Sequence, residues 1–412
     1  MQGSFRMSTK SRVEYFRVLA ERYRNLLSKK QRSEIINEAC INTGLHRKSV
    51  IRAINQVIHC IAPVRRPGRP RKYSEGCIFA LKRLYRESEY QCSGKLHAMI
   101  PILLKQYQMQ LSEEILKEIQ RISPATIDRY LKKYRGLQSV KSRTHTRPGS
   151  RIFKRKIPLK NLTNIAQTPG ILEGDTVGHC GGIQRGEFAF SLTMTDELTG
   201  FTKNQATENK CAVHVKPAIQ KIIDSLPFEI YSVNFDNGSE FLNHVVYGYF
   251  IQYANEKGIP FPMTRSRSYQ KNDNARAEQK NWTHVRQLFG YDRIDDKRLV
   301  DKMNEIYEVQ NLIQNFFIPQ YKLKSKFRVG AKIVKKYDKP KTPYQRLLES
   351  NLPEDRKQKL REQYATLNYP LLKKQKEELL ASFVKLQEQI KSERRAKDQS
   401  PRVAQPLGNT HL

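Results

Sequence analysis

Three stretches decide the fold of this 412-residue chain: LEGDTVGHCGG (172–182), DNGSEF (236–241) and KNDNARAEQKNW (271–282). In each of them one of the two acidic residues has a distinctive setting. Asp175 lies inside a strand-like run, Asp236 ends a second such run before the turn residues Asn237 and Gly238, and Glu278 lies in a helical pattern. Sixty residues separate the first two acids, and 41 separate the second from the third.

The sequence around these acids alternates between strand and helix patterns. Three strand-like stretches predict an antiparallel meander: 171–180, 186–200 and 201–208. A helix (211–227), a strand ending at Asp236, a helix (239–258), a short strand (259–266) and a further helix (273–290) follow in that order. Three antiparallel strands followed by two strands that are reached through helices are the order of an RNase H-like mixed sheet.

In that order the three acids can converge, because two of them lie on strands and the third on a helix that faces the sheet. Carboxylate oxygens suit the hard cation Mg²⁺. Two such ions about 3.5–4 Å apart activate the attacking oxygen and stabilise the leaving oxygen of a phosphoryl transfer. Each acid alone has a more ordinary interpretation as a cap or a solvated residue, and the set of three favours a catalytic role.

These stretches resemble the catalytic core of DDE transposases and retroviral-type integrases, and above all bacterial insertion-sequence transposases that carry an integrase core. The similarity continues through four further stretches: TDELTGF (195–201), TRSRSYQ (264–270), NFFIPQYKLKSK (315–326) and KKYDKPKTPYQRLL (335–348). The resemblance implies that Asp175, Asp236 and Glu278 bind two metal ions, Mg²⁺ or in its place Mn²⁺. It also implies site-shaping residues: Asn237, Gly238, Asn274 and Asn281.

Departures from the family pattern are also visible. The second spacing is longer than in retroviral integrases, helix-turn-helix units replace a His/Cys zinc module, and Arg276-Ala277 precede Glu278.

Several neighbouring residues leave alternatives open. Glu173 shares the strand face of Asp175 and Glu240 follows Asp236, so either is an alternative metal ligand. His179 and Cys180 supply too few ligands for zinc, and we expect loop packing there, with His179 near the scissile phosphate as the other possibility. Trp282 is expected in the core, with base stacking as the lesser alternative.

Charge is distributed unevenly along the chain, which has a formal net charge of +35. Residues 1–160 carry a net charge of +25, residues 161–300 a net charge of −1 and the remainder +11. A near-neutral centre between basic arms predicts a polyanionic partner, of which nucleic acid is the commonest. The sequence contains no run of about 18 apolar residues, the length that a membrane span needs. The six cysteines form no CxxC pair, and we expect them to be reduced.

Two helical pairs in the basic N-terminal arm have a helix-turn-helix pattern. In the first, Ser33 is expected to cap a helix, Gly44 makes the turn, and a basic helix follows. In the second, Ser123 and Pro124 begin a basic helix. The stretch VRRPGRPRK (64–72), between the two pairs, is either an AT-hook-like segment or a linker. The expected DNA-binding residues are Arg47, Lys48, Arg52, Arg66, Arg69, Arg71, Arg129, Lys132, Arg265, Arg267 and Lys271.

The predicted fold class is thus an α/β RNase H-like core after all-α helix-turn-helix domains and before a small basic C-terminal region. The predicted domains are 1–64 (helix-turn-helix), 65–75 (AT-hook-like linker), 76–136 (second helical domain), 137–164 (basic linker), 165–318 (integrase core), 319–350 (basic DNA-contacting element), 351–398 (charged helical region) and 399–412 (disordered tail).

The function implied is that of a DDE transposase. Such an enzyme binds the terminal inverted repeats of an insertion sequence, cleaves the 3′ ends and joins them to target DNA. Double-stranded DNA is the expected partner, a homodimer or larger oligomer the expected state, and the bacterial cytoplasm, in association with the nucleoid, the expected location. The alternative is a sequence-specific DNA-binding regulator with a vestigial core, and a host nuclease is a third possibility.

Overall fold

A computed structural model of the protein describes residues 7–59, 72–134, 156–160, 167–267 and 275–399, except for the side chains of Lys133, Ala275, Glu278 and residues 397–399. The chain divides into two compact units, with the division after Lys72. No helix in these described ranges is long and apolar enough to cross a membrane.

The first unit contains helices α1 (Thr9–Arg24), α2 (Lys29–Thr43) and α3 (Arg47–Ile58). Their core is formed by apolar side chains at helical spacing: Phe16, Leu19, Ala20, Ile35, Ile36, Ala39, Val50 and Ile54. Gly44 closes α2 with a φ of +63°, a conformation that suits glycine. The expectation that Ser33 caps α2 is wrong, because Ser28 is the N-cap and accepts a hydrogen bond from the Lys30 amide.

The second unit begins with four helices in the described range 73–134: α4 (Glu75–Glu87), α5 (Ser93–Gln106), α6 (Glu113–Arg121) and α7 (Pro124–Leu131). Ser123 caps α7 through its side chain, and Pro124 occupies the first turn, where its missing N–H costs nothing. Together the helices place Leu81, Leu84, Met99 and other apolar residues in the main core.

A five-stranded sheet forms the centre of this unit. Its strands are β1 (Ile171–Gly178), β2 (Phe190–Asp196), β3 (Thr202–Thr207), β4 (Ser232–Phe235) and β5 (Met263–Arg265), in the order β3-β2-β1-β4-β5. The first three strands pair antiparallel, whereas β4 pairs parallel with β1 and β5 parallel with β4. This is the RNase H-like order, and the predicted fold class is confirmed.

Helices connect and cover the sheet. Helix α8 (Ala212–Asp224) leads to β4, and α9 (His244–Lys257) leads to β5. Helix α10 (Ala275–Lys280) continues into a π-helical segment (Asn281–Arg286) and a last turn at Gln287–Phe289. Helix α11 (Lys297–Phe316) packs along β3.

The C-terminal part of the chain is built onto this core. A hairpin of β6 (Leu323–Val329) and β7 (Lys332–Tyr337) is followed by α12 (Pro343–Glu349), α13 (Glu354–Thr366) and α14 (Tyr369–Gln399). Phe383 and Ile390 of α14 join the core of α11, and Lys373 of the same helix forms an ion pair with Glu87 of α4 at 2.9 Å. The charged C-terminal helix therefore has a buried side that holds the second unit together.

Close packing beside the two aspartates depends on Gly174 in β1. A Cβ atom at this position would lie 2.4 Å from the ring of Phe235 in β4, closer than real contacts allow. Phe235 is fully buried and stacks on Phe241 with 4.2 Å between ring centroids. The absence of a side chain at Gly174 thus lets β4 lie close to β1.

We predict that Gly174→Ala destabilises the second unit by about 1–3 kcal/mol, the usual cost of overpacking a core. Gly248→Ala is the matched control, because a Cβ there meets nothing within 4 Å and lies in α9, where alanine favours the helix. Urea unfolding monitored by circular dichroism measures both free energies of unfolding. Equal stability of the two variants would contradict the packing argument.

Candidate active site on strands β1 and β4

The register of the sheet brings Asp175 and Asp236 together. In the parallel pairing of β1 with β4, Gly174 lies opposite Phe235. The next residues along the two strands are Asp175 and Asp236, and neighbouring strands run about 4.8 Å apart. The register therefore predicts that Asp175 and Asp236 lie side by side on neighbouring strands, at the carboxyl end of β4.

Each aspartate is oriented by a neighbouring donor. Asn281 donates a hydrogen bond from Nδ2 to Oδ2 of Asp175 at 2.7 Å, and the Thr176 amide donates to Oδ1 at 2.9 Å. The amide of Gly238 donates to Oδ1 of Asp236 at 2.9 Å. These bonds fix the direction of both carboxylates before any ligand is bound.

The turn after Asp236 is tied to the neighbouring strand end. Asn237 donates from Nδ2 to the carbonyl oxygen of Ser266 at 2.8 Å, directly after β5. A Cβ atom at Gly238 would lie 2.6 Å from the carboxylate of Glu240, so this position is suited to glycine. Glu240 is itself buried and accepts a hydrogen bond from Oγ1 of Thr176 at 2.8 Å. Asn237 thus joins the turn after β4 to the end of β5, and Glu240 joins it to Thr176 of β1.

Glu173 has a structural role at this site. It is fully buried, and its carboxylate accepts hydrogen bonds from Nζ of Lys160 at 2.9 Å and from the guanidinium of Arg276 at 2.8 Å. The amides of Arg276 and Ala277, in the first turn of α10, also donate to it, at 2.7 and 3.3 Å. A carboxylate is favoured at a helix N-terminus. Both carboxylate oxygens of Glu173 are therefore engaged in hydrogen bonds. This argues against the alternative in which Glu173 is a metal ligand.

Helix α10 is therefore fixed to β1 at two points. Its first turn binds Glu173, and Asn281, directly after its last residue, binds Asp175. Glu278 lies on the backbone between these two points. Arg276 and Ala277, which depart from the family pattern, are the residues that make the first contact, and Ala277 is fully buried there.

The π-helical segment changes the direction of the side chains that follow α10. The sequence pattern predicts that Trp282 lies in the core, but its side chain is 44% exposed, so this prediction is wrong. That expectation assumed α-helical spacing from Glu278, whereas a π-helical turn contains more residues and rotates the side chains that follow.

Buried basic groups lie on the other side of this segment. Burial and the nearby Lys95 ammonium lower the pKa of Lys280 to about 7. The pKa of His284 is lowered well below its usual value by burial first and then by Lys280 and Lys95.

His179 is buried and does not face the two aspartates. Its Nε2 forms a 2.8 Å hydrogen bond with Oγ of Ser191, and burial, with a smaller contribution from Arg286, lowers its pKa to about 3. The ring packs edge-on against Phe289. Full burial and these contacts agree with the expected loop packing and argue against contact of His179 with a scissile phosphate.

The residues predicted to bind DNA occupy different settings. Lys48, Arg52 and Lys132 are exposed. The Arg47 guanidinium donates to Ser33 at 2.8 Å and joins α2 to α3, while the Arg129 guanidinium donates to Thr126 at 3.1 Å within α7. Arg265 is half-buried and donates from Nε to the carbonyl oxygen of Ile157 at 3.0 Å, and Arg267 is half-buried just after β5. Four of the predicted residues lie outside the described ranges: Arg66, Arg69, Arg71 and Lys271. The site-shaping residue Asn274 also lies outside them.

The donor set fits a hard divalent cation in its chemistry. Asp175 and Asp236 supply carboxylate oxygens, the ligands that Mg²⁺ prefers. The described side chains alone do not form a group of three acidic, histidine or cysteine ligands, and the side chain of Glu278 is not among them.

Comparison with known proteins places the chain in a family. The uncharacterized protein y4rM of Sinorhizobium fredii (strain NBRC 101917 / NGR234) is 32% identical over 346 residues, which are 83% of this chain and 96% of that protein. The chain belongs to the y4rM family. No protein-family model matches it.

Three solved structures with some similarity are two integrase catalytic core domains and an intasome. The catalytic core domain of BIV integrase is 14% identical with a TM-score of 0.26, and the alignment covers 43% of this chain and 93% of that one. A simian T-cell lymphotropic virus intasome is 14% identical, with a TM-score of 0.30 and coverage of 61% and 75%. The HTLV-2 integrase catalytic core domain in complex with magnesium is 15% identical, with a TM-score of 0.27 and coverage of 38% and 93%. Such TM-scores carry no weight, and the fold assignment rests on the strand order and register.

We predict that Glu173→Ala loosens helix α10 from the sheet. Removing one partner of a buried ion pair costs roughly 3–5 kcal/mol, and because the Arg276 side chain is 43% exposed we expect about 2–3 kcal/mol here. Amide hydrogen exchange measured by mass spectrometry should become faster in residues 275–289. Glu187→Ala, which removes an exposed carboxylate, is the control and should leave the exchange of this segment unchanged. Equal protection in both variants would contradict the proposed anchor.

Proposed function

We propose that this protein of the y4rM family is a DDE transposase. In this proposal it binds the terminal inverted repeats of an insertion sequence, cleaves the 3′ ends and transfers them into target DNA. Asp175, Asp236 and Glu278 are the three catalytic carboxylates. Two Mg²⁺ ions, or Mn²⁺ in their place, are the metal cofactors.

The observation that carries the proposal is the double attachment of α10 to β1. Asp175 and Asp236 are neighbours through the strand register, and Glu278 lies between the two contacts that join its helix to the strand of Asp175. Three acids far apart in sequence thus belong to the adjacent strands β1 and β4 and to the helix attached to β1. This supports a single metal-dependent site rather than three unrelated surface acids.

The protein side chains contribute orientation and charge in this proposal. The Asn281 amide directs the Asp175 carboxylate, and the Gly238 amide directs that of Asp236, so both are positioned to hold metal through oxygen. When bound, two such ions activate the attacking oxygen and stabilise the leaving oxygen. In the first step water forms a bond to phosphorus and the 3′ oxygen leaves as a hydroxyl. In the second step that hydroxyl attacks a phosphorus of target DNA, the bond from this phosphorus to the target 3′ oxygen breaks, and the 3′ oxygen leaves as a hydroxyl, so the number of phosphodiester bonds is conserved.

The basic N-terminal helices supply the recognition of the DNA ends. Helix α3 follows α2 after a short turn at Gly44 and presents the exposed residues Lys48 and Arg52. Such a pair is suited to place its second helix in the major groove. Helix α7, with Ser123 as its N-cap, is the second candidate. Two element ends must be processed together, so we propose that a homodimer or larger oligomer assembles on the DNA.

We predict metal-dependent nicking of a labelled DNA end taken from the repeat that flanks the gene. The full chain should nick at the repeat boundary in Mg²⁺ or Mn²⁺, and Asp236→Asn should lower the rate by at least a hundredfold because one metal ligand is weakened. Asp224→Asn removes an exposed acid of α8 and is the matched control with unchanged rate. Gel electrophoresis of the labelled strand measures the nicking rate, and a mobility shift checks that binding persists.

Repeat binding without nicking in either metal would overturn the transposase proposal in favour of a DNA-binding regulator. Nicking that survives in Asp236→Asn would overturn the assignment of the catalytic acids.

A further inference from the structure

The cavity between the core and the β6–β7 hairpin is about 860 Å³ in volume and adjoins α10. Its walls come from the loop 197–200, from α10 and from the hairpin. Arg276, Gln279 and Lys280 of α10 line it, and the same helix carries Glu278. All of these elements belong to the second unit.

The lining of this cavity is cationic. Six basic side chains line it: Arg276, Lys280, Lys322, Lys326, Lys335 and Arg346. Glu197 is the single acidic residue among the lining residues that the structure describes. Arg276 is paired with Glu197 at 3.0 Å and Arg346 with Asp338 at 2.7 Å.

Three other basic side chains of the lining have no such ion pair. No carboxylate of the described side chains forms an ion pair with Lys280, Lys326 or Lys335. Lys326 and Lys335 lie opposite each other on the two hairpin strands, so their charges repel across the ladder. Such an arrangement is stabilised when an anion is bound between the two ammonium groups.

Two buried polar side chains of the lining, Lys280 and Gln320, form a pair with one unsatisfied hydrogen-bond donor. Lys280 is 8% exposed and donates from Nζ to Oε1 of Gln320. The Nε2 of Gln320 is buried and has no hydrogen-bond partner in the described structure. Buried donors in native proteins are normally satisfied, so this amide points to a ligand acceptor or a bound water.

Two tyrosines add flat apolar surface. Tyr321 and Tyr337 lie edge to face with 6.0 Å between ring centroids and are 41% and 52% exposed. The Tyr321 hydroxyl lies against the backbone of Gly94, where a Cβ atom would have no room, so this ring is held in place. Phosphate-binding cations interleaved with exposed aromatic rings are the features by which proteins bind single-stranded nucleic acid.

We propose that this cavity, which is lined in part by helix α10, binds an unpaired DNA strand. Its volume lies in the range of about 300–1,000 Å³ that encloses small ligands, which is room for one or a few nucleotides and not for a duplex. Lys326 and Lys335 contact phosphates, Tyr337 stacks on a base, and Lys280 with Gln320 binds the innermost oxygen. The inference rests on the proposed function for the meaning of the strand, which would be an opened end of the element.

The test measures binding of a fluorescein-labelled oligothymidine to the full chain by anisotropy, in EDTA so that no cleavage occurs. Lys326→Ala/Lys335→Ala should weaken binding about tenfold. It should also reduce the slope of log affinity against log salt by about 1.4, since each phosphate contact to a single strand contributes about 0.7. Lys324→Ala/Lys336→Ala is the matched control, because it removes the same charge from residues of the same hairpin that do not line the cavity.

Tyr337→Ala provides a second, independent readout. Loss of base stacking should weaken the single strand about fivefold or more while the salt slope stays unchanged, because no charge is removed. Binding of a fully paired duplex should be affected no more by the cavity variants than by the control pair.

Equal losses for the two lysine pairs, or equal losses for duplex and single strand, would overturn the cavity proposal. The outcome is separable from the transposase proposal. If the chain nicks DNA but the two lysine double variants bind the single strand equally well, only the cavity proposal is refuted. If the cavity variants weaken single-strand binding selectively but the chain does not nick DNA, only the transposase chemistry is refuted.

Discussion

The buried carboxylate of Glu173 is the interaction on which the rest of the site depends. It joins three separate parts of the chain: β1, the segment before the sheet through Lys160, and the first turn of α10 through Arg276 and Ala277. Burying such a charge is costly unless every oxygen is satisfied. Because this carboxylate needs several donors, the first turn of α10 must lie beside Glu173. This contact fixes where the helix backbone at residue 278 lies relative to β1.

Much of the catalytic core could be predicted from the sequence. Strand-like and helix-like stretches alternate along the sequence, and the turn residues Asn237 and Gly238 mark the end of β4. The order of the elements and the placement of Asp236 therefore follow from local preference. The structure confirms the mixed sheet, the cap at Ser123 and the turn at Gly44. The roles of the three acids and the boundaries of the domains stay predictions.

What could not be predicted depends on contacts between distant residues. The apolar pattern of α2 begins soon after Ser33 and therefore favours Ser33 as the cap, whereas the first turn of the helix, after Ser28, is polar and carries no apolar signal. The exposure of Trp282 follows from a π-helical segment that α-helical spacing does not reveal. The anchoring role of Glu173 required its partners 103 and 104 residues away.

The central claim is that Asp175, Asp236 and Glu278 meet at one metal site. A crystal structure of the full chain grown with Mn²⁺, with anomalous diffraction recorded at the manganese edge, tests it most directly. The account predicts an anomalous peak bonded to carboxylate oxygens of both aspartates, with the Glu278 side chain directed to the same site. Manganese bound elsewhere, or Glu278 directed away from the two aspartates with metal present, would contradict it.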